Sequence, residues 1–151
     1  MFHIALLSPR IAPNTGNIIR LCVNCGASLH LIHPLGFDLD DRRMRRAGLD
    51  YHEFAAINQH ESWTAFSQWA VEKRVFGLST RGQTNYCTVK FKIDDVLLFG
   101  SETHGLPDDV RAPLGDKLLR LPMRPGNRSL NLANAVSIVA YEAWRQMDFV
   151  M

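Results

Sequence analysis

Two tetrapeptides, Ile4-Ala5-Leu6-Leu7 and Val96-Leu97-Leu98-Phe99, have no polar side chain, and they set the strongest limit on what this chain can fold into. A strand with one wet face alternates apolar and polar residues. A strand that is apolar at every position is covered on both faces, the usual condition of a parallel sheet. Further short runs read as strands at Phe2–Leu7, Ser28–His33, Phe54–Asn58, Arg74–Ser79, Val96–Gly100 and Lys117–Pro122. Between them, helical patterns fall at Asn17–Cys25, Asp41–Gly48, Glu61–Glu72 and Pro107–Leu114, with a long one from Leu130 to Met147. This alternation predicts an α/β fold in which helices sandwich a mostly parallel sheet. No repeat or linker interrupts it, so a single domain over residues 1–151 is expected.

Composition enters by exclusion. An apolar fraction of 46% with 21% charged residues rules out a disordered or fibrous chain. A formal charge of +2 is too small to attract nucleic acid in bulk, so any such contact needs locally concentrated arginines. Three cysteines cannot form a disulfide framework, which points to a reducing, cytoplasmic setting. The N-terminus lacks a basic region before its short apolar run, so no signal peptide is expected. The longest stretch without Lys, Arg, Asp or Glu, Leu21–Phe37, contains Asn24, His30 and Pro34 and is no membrane span.

The last helix is apolar around most of its circumference, through Leu132, Ala133, Ala135, Val136, Ile138, Val139, Ala140, Ala143 and Trp144. Burial in a symmetric dimer and burial as a central core helix both satisfy that pattern.

Ligands of open α/β sheets bind beyond the carboxyl ends of strands. Three segments in that position are rich in Gly, Asn, Ser and Arg: Ser8–Asn17, Gly100–Pro107 and Leu121–Asn131. Asn14-Thr15-Gly16-Asn17 reads as an Asx turn and cap before a helix that carries Arg20 among apolar neighbours. In Gly100–Gly105, Glu102 could cap the helix starting at Pro107, or the two glycines could let backbone approach a ligand closely. Asn127–Asn131 could be a cap built on Ser129 or Asn131, or an anion site at a helix N-terminus with Arg120, Arg124 and Arg128 close by. The Arg42–Arg46 run reads either as a second basic patch or as a solvated helix face.

No dinucleotide or P-loop signature is present. Cys22 and Cys25 fall at a helix C-terminus, where no thiolate is stabilised, and read as packed thiols. A zinc site on His30 and His33 fails because residues three apart on a strand face opposite ways, so no metal is expected.

Taken in order, Asn14-Thr15-Gly16-Asn17-Ile18-Ile19-Arg20, Leu98-Phe99-Gly100-Ser101-Glu102-Thr103-His104-Gly105-Leu106, and Leu121-Pro122-Met123 with Ser129–Val136 resemble the motifs of the SPOUT superfamily of S-adenosylmethionine-dependent RNA methyltransferases, in its TrmH-like 2′-O-methyltransferase branch. Arg45–His52 and Tyr141–Gln146 look like the short TrmL (YibK-type) subgroup, which methylates the wobble ribose of tRNA. The resemblance covers essentially the whole chain. It implies a C-terminal trefoil knot, a homodimer, and tRNA as partner, with cytidine or carboxymethylaminomethyl-uridine of tRNA-Leu isoacceptors as target. Another RNA, such as rRNA, and a non-catalytic RNA-binding module are the alternatives.

Carried over by residue, the resemblance implies that S-adenosyl-L-methionine is held by Leu78, Gly100, Leu121 and Ser129, with Met123 and Leu130 beside them. Asn14, Glu102 and Asn131 would shape the pocket. Arg20 would be catalytic, with Tyr141 beside it. The chain departs from the subgroup at Ser8 and Arg10, where acids are usual, and at Ser101, where proline is usual. An arginine base is chemically awkward, because guanidinium keeps its proton. Either Arg20 loses a proton transiently, or a substrate phosphate accepts the ribose proton while Arg20 orients both groups.

Overall fold

The two fully apolar runs lie side by side at the centre of the molecule. β1 (His3–Leu7) pairs in parallel with β6 (Val96–Phe99), His3 opposite Val96 and Leu6 opposite Phe99. The structure, a computed structural model, describes residues 1–39 and 57–150. The helix expected at Asp41–Gly48, the Arg42–Arg46 run and the Arg45–His52 stretch lie outside the described residues, as does most of the strand expected at Phe54–Asn58. The remaining strands are β2 (Ser28–Ile32), β3 (Ile57–His60), β4 (Val75–Leu78), β5 (Thr84–Asn85) and β7 (Leu118–Arg120). They form one parallel sheet in the order β3-β2-β1-β6-β4-β7-β5.

Alternation along β1 and β6 divides the core between the two faces. Ile4, Leu6, Leu97 and Phe99 point to one side, where α1 (Ala12–Cys25) and α4 (Leu132–Gln146) pack against them and against each other. Ala5, Leu7, Val96 and Leu98 point to the other, under Phe66 of α2 (Trp63–Trp69) and Val110 of α3 (Asp108–Arg111). α4 buries Leu132, Ala133, Val136, Val139, Ala140 and Ala143, and leaves Ile138 and Tyr141 exposed.

Two boundaries differ from the sequence reading, and one strand is new. α1 begins at Ala12 rather than Asn17, so Asn14-Thr15-Gly16-Asn17 lies inside the helix instead of forming a turn before it. Pro13 fits that first turn because its missing N–H is not needed there. The helix expected over Pro107–Leu114 is α-helical only from Asp108 to Arg111. The following residues to Lys117 form a 3-10 segment, broken at Gly115 (φ 51°, ψ −125°). β5 has only two residues, both polar, and no periodicity announced it.

β7 lies between β4 and β5, although β4 and β5 precede it in the chain. The connection from β4 to β5 therefore passes over β7. It is drawn close: Ser79 N–H donates to the Leu119 carbonyl at 2.9 Å, and a Cβ on Gly82 would lie 2.5 Å from that same carbonyl group.

A histidine chain crosses the α2 face. His3 Nε2 lies 2.9 Å from Asp94 Oδ1, His30 Nε2 lies 3.1 Å from His3 Nδ1, and His60 Nε2 lies 2.9 Å from His30 Nδ1. The Asp94 carboxylate can only accept, so each ring donates its Nε2–H toward Asp94. Trp69 packs on His30 with ring centroids 4.1 Å apart. Burial pushes His30 down to about 3, and the neighbouring His3, His60 and Lys73 add to the effect. Burial lowers His60 as well. An unfolded histidine takes up a proton near pH 6.5, whereas folded His30 does not until far lower. Below pH 6.5 the unfolded chain therefore binds more protons, and stability falls as pH drops toward 3. Urea midpoints should be clearly lower at pH 4.5 than at pH 7.5, and a His30→Asn variant should lose most of that difference. An unchanged difference would place the acid sensitivity elsewhere.

Candidate functional site

β1 and β6 lie side by side, but the chain leaves them in opposite directions, toward β2 and toward β7. Such a switch point opens a crevice at the carboxyl ends of the strands. There the end of β1 meets the loop after β6. The Glu102 carboxylate accepts from Arg10 N–H (2.7 Å), Ile11 N–H (3.2 Å) and Asn14 Nδ2–H (3.1 Å). Ile11, at the cap position of α1, provides no side-chain cap of its own. Glu102 thus satisfies the start of α1, not the helix after Pro107 as one reading had it, and a carboxylate there is also favoured by the helix dipole.

The network extends to the third loop. Asn131 Nδ2–H donates to Asn14 Oδ1 at 2.9 Å, while Asn131 Oδ1 caps α4 by accepting from Ala133 N–H at 2.9 Å. Of the two capping candidates, Asn131 is the cap. One side chain from each loop, Asn14, Glu102 and Asn131, therefore ties the three together. Gly100 allows the turn after β6 to close: a Cβ there would stand 2.0 Å from the Gly105 backbone, and Gly105 itself has φ +65°.

The cleft between these loops has a volume of about 590 Å³. Leu78 from β4, Gly100 from the loop after β6, and Leu121 and Met123 from the segment after β7 line it. Ser129 and Leu130 approach from the start of α4, and Asn14, Glu102 and Asn131 complete the wall. Arg20 and Tyr141 do not line it. Both are exposed, Arg20 on α1 and Tyr141 on α4, where the tyrosine ring packs edge-on against Trp144. Among the described residues no cluster of His, Cys, Asp or Glu could hold a metal. Cys22 and Cys25 are buried thiols, and burial raises both.

Sequence reasoning missed Arg81 and Arg111, which also line the cleft. The signal available was the Ser79-Thr80-Arg81-Gly82 turn directly after an apolar strand. No helix among the described residues is long and apolar enough to cross a membrane.

A parallel sheet with an open crevice at its switch point, walled by leucines and three cross-linked loops, defines an α/β protein with a site suited to a small, partly polar ligand. A profile of the SpoU rRNA Methylase family matches residues 1–141, and the chain belongs to that family. It is 55% identical over 153 residues to a tRNA (cytidine(34)-2′-O)-methyltransferase of Burkholderia ambifaria, covering 99% of this chain and 97% of that one. A solved structure concerned with the 2-OH methylation of C/U34 on tRNA superposes with a TM-score of 0.91 at 43% identity, covering 98% and 97% of the two chains. An AdoMet-bound rRNA methyltransferase from Sinorhizobium meliloti superposes with a TM-score of 0.85 at 31% identity, covering 97% of this chain and 56% of that one.

Proposed function

We propose that this chain is an S-adenosylmethionine-dependent tRNA 2′-O-methyltransferase acting on the wobble ribose, of cytidine or a modified uridine. The observation that carries the reading is the near full-length likeness to relatives named for that reaction. The cleft fits the donor: its volume lies within the roughly 300–1,000 Å³ of small-molecule sites. Leu78, Leu121 and Leu130 offer apolar surface to a nucleoside, and Gly100 and Ser129 offer backbone and hydroxyl groups beside it. When bound, the donor supplies an activated methyl group and a neutral leaving group.

The chain's own residues then have to hold the ribose oxygen in line, within roughly 3–3.5 Å of the carbon it attacks. We assign that orientation to Arg20, whose guanidinium keeps its proton, and leave the ribose proton to a substrate phosphate. Arg20 and Tyr141 lie outside the cleft lining of their own chain, which favours their serving the cleft of a second copy. The exposed Val23 on α1 and the exposed Ile138 and Tyr141 on α4 give a homodimer an apolar surface to bury. The connection stretched over β7 supports a C-terminal trefoil knot, a departure from the rule that chains avoid threading. The continuous sheet supports a single domain over residues 1–151.

The test is nucleoside mass spectrometry of tRNA incubated with the purified chain and S-adenosylmethionine. A new 2′-O-methyl group at the wobble nucleotide is expected. A chain that binds the donor yet leaves every tRNA unmethylated would overturn the reading.

A further inference from the structure

Arg74, Arg111 and Arg145 are paired to Asp95, Asp108 and Glu142. The Arg81 guanidinium has no carboxylate partner among the described residues, although its backbone is held firmly. Gly82 N–H donates to the Ser79 carbonyl at 3.1 Å, and Arg81 N–H donates to Ser79 Oγ at 3.2 Å. With the Ser79–Leu119 bond and the close approach of Gly82 to β7, these contacts fix the turn that carries it.

That turn separates two depressions. On one side is the cleft described above. On the other is a groove of about 510 Å³ between the turn, edge strand β5 and the segment after α3. Only Arg81 and Arg111 line both, and Arg111 is committed to Asp108. The groove is mixed: Gln83, Thr84 and Asp116 offer hydrogen-bond donors and acceptors beside the apolar Ala112 and Leu118.

We propose that this second groove seats the nucleotide next to the one being methylated, and that Arg81 grips the phosphodiester between them. The proposal deepens the tRNA methyltransferase reading and rests on it. An unpaired guanidinium on a rigid ridge matches the planar, bidentate geometry of a phosphate. Consecutive nucleotides of a single-stranded loop can splay their bases into adjacent pockets, where amide, hydroxyl and carboxylate groups read the base edges. Gln83, Thr84 and Asp116 provide those groups. Arg81 is thus a positioning residue for RNA on the ridge that the donor cleft and the groove share.

The test is titration of the full chain with a tRNA anticodon stem-loop, for Arg81→Ala, Arg81→Lys and Ala112→Trp, the last filling the groove from an exposed position that lines it. Arg81→Ala and Ala112→Trp should each weaken RNA binding by about tenfold or more, the share of one charge-assisted contact. In Arg81→Ala the slope of log affinity against log salt should become shallower by about 0.7, one phosphate's worth on a single strand. Arg81→Lys should recover much of the loss, and Ala112→Trp, outside the first cleft, should leave S-adenosylmethionine affinity within about twofold. Unchanged RNA affinity in both variants overturns the proposal, as does a fall in donor affinity in Arg81→Ala as large as the fall in RNA affinity, which would mean that Arg81 serves the donor and not the RNA. Loss in Arg81→Ala with Ala112→Trp silent leaves the groove empty and overturns it too. RNA binding is read without turnover, so a chain that binds RNA through the groove but methylates nothing would defeat the activity and keep the groove.

Discussion

Replacing Arg20 with alanine should lower methyl transfer by about two to three orders of magnitude, the range for removing a positioned charged donor from a reacting centre. S-adenosylmethionine affinity should hardly change, because Arg20 lies outside the cleft lining. The geometry adds a sharper expectation. If the guanidinium of one chain completes the cleft of its partner, two inactive variants can rescue each other. Mixing Arg20→Ala with Ser129→Trp, in which the indole fills the cleft, produces heterodimers with one intact site. Random pairing makes half the dimers mixed with one site of two intact, so recovery of up to about a quarter of wild-type activity is expected. No recovery after confirmed subunit exchange would place Arg20 and the cleft it serves in one chain, and full turnover by Arg20→Ala alone would remove its role.

Glu102→Ala should produce the largest loss of stability. It strands two backbone N–H groups at the start of α1 and the Asn14 amide, and so uncouples all three loops of the cleft. Losing three charge-assisted bonds, one of them from the buried Asn14 amide, costs about 2–3 kcal/mol. For a chain of this size that lowers Tm by roughly 5–10 °C. Donor affinity should fall by more than tenfold, because Asn14 and Asn131 lose their common anchor. Glu102→Gln keeps an acceptor but turns a donor toward an N–H, so it should fall between the two. Calorimetry on the three chains reads both quantities. A Glu102→Ala variant with unchanged Tm and donor affinity would show that the loops hold their places without it.

What could be read from the sequence follows the range of the interactions. β1 and β6 were legible because double-faced burial leaves no room for polar residues in Ile4–Leu7 or Val96–Phe99. The start of α1 was not, since its cap comes from Glu102, 92 positions after Arg10. β5 was invisible for a similar reason: Thr84 and Asn85 become a strand only because β7 lies beside them. Within the cleft, the density of Gly, Asn and Ser marked the three loops, and Asn131 was named among two capping candidates. Arg81 was marked only by its place in a turn directly after an apolar strand, because Ser79–Gln83 otherwise has the composition of any turn. By sequence Arg20 is a polar residue near an apolar face; the structure places it exposed, beside the buried Ile19.

The pairing of β1 with β6 also shapes how the molecule is made. Residues 3–6 find one of their two neighbours only when residues 96–99 arrive. A ribosome adding roughly 5–20 residues per second keeps this apolar strand of the nascent polypeptide half-covered for several seconds. Such non-local pairing is slow to form and prone to sticking to other chains. Yield in a cell should therefore depend on holdase chaperones and on translation speed through the second half of the message as well as on the stability of the finished protein.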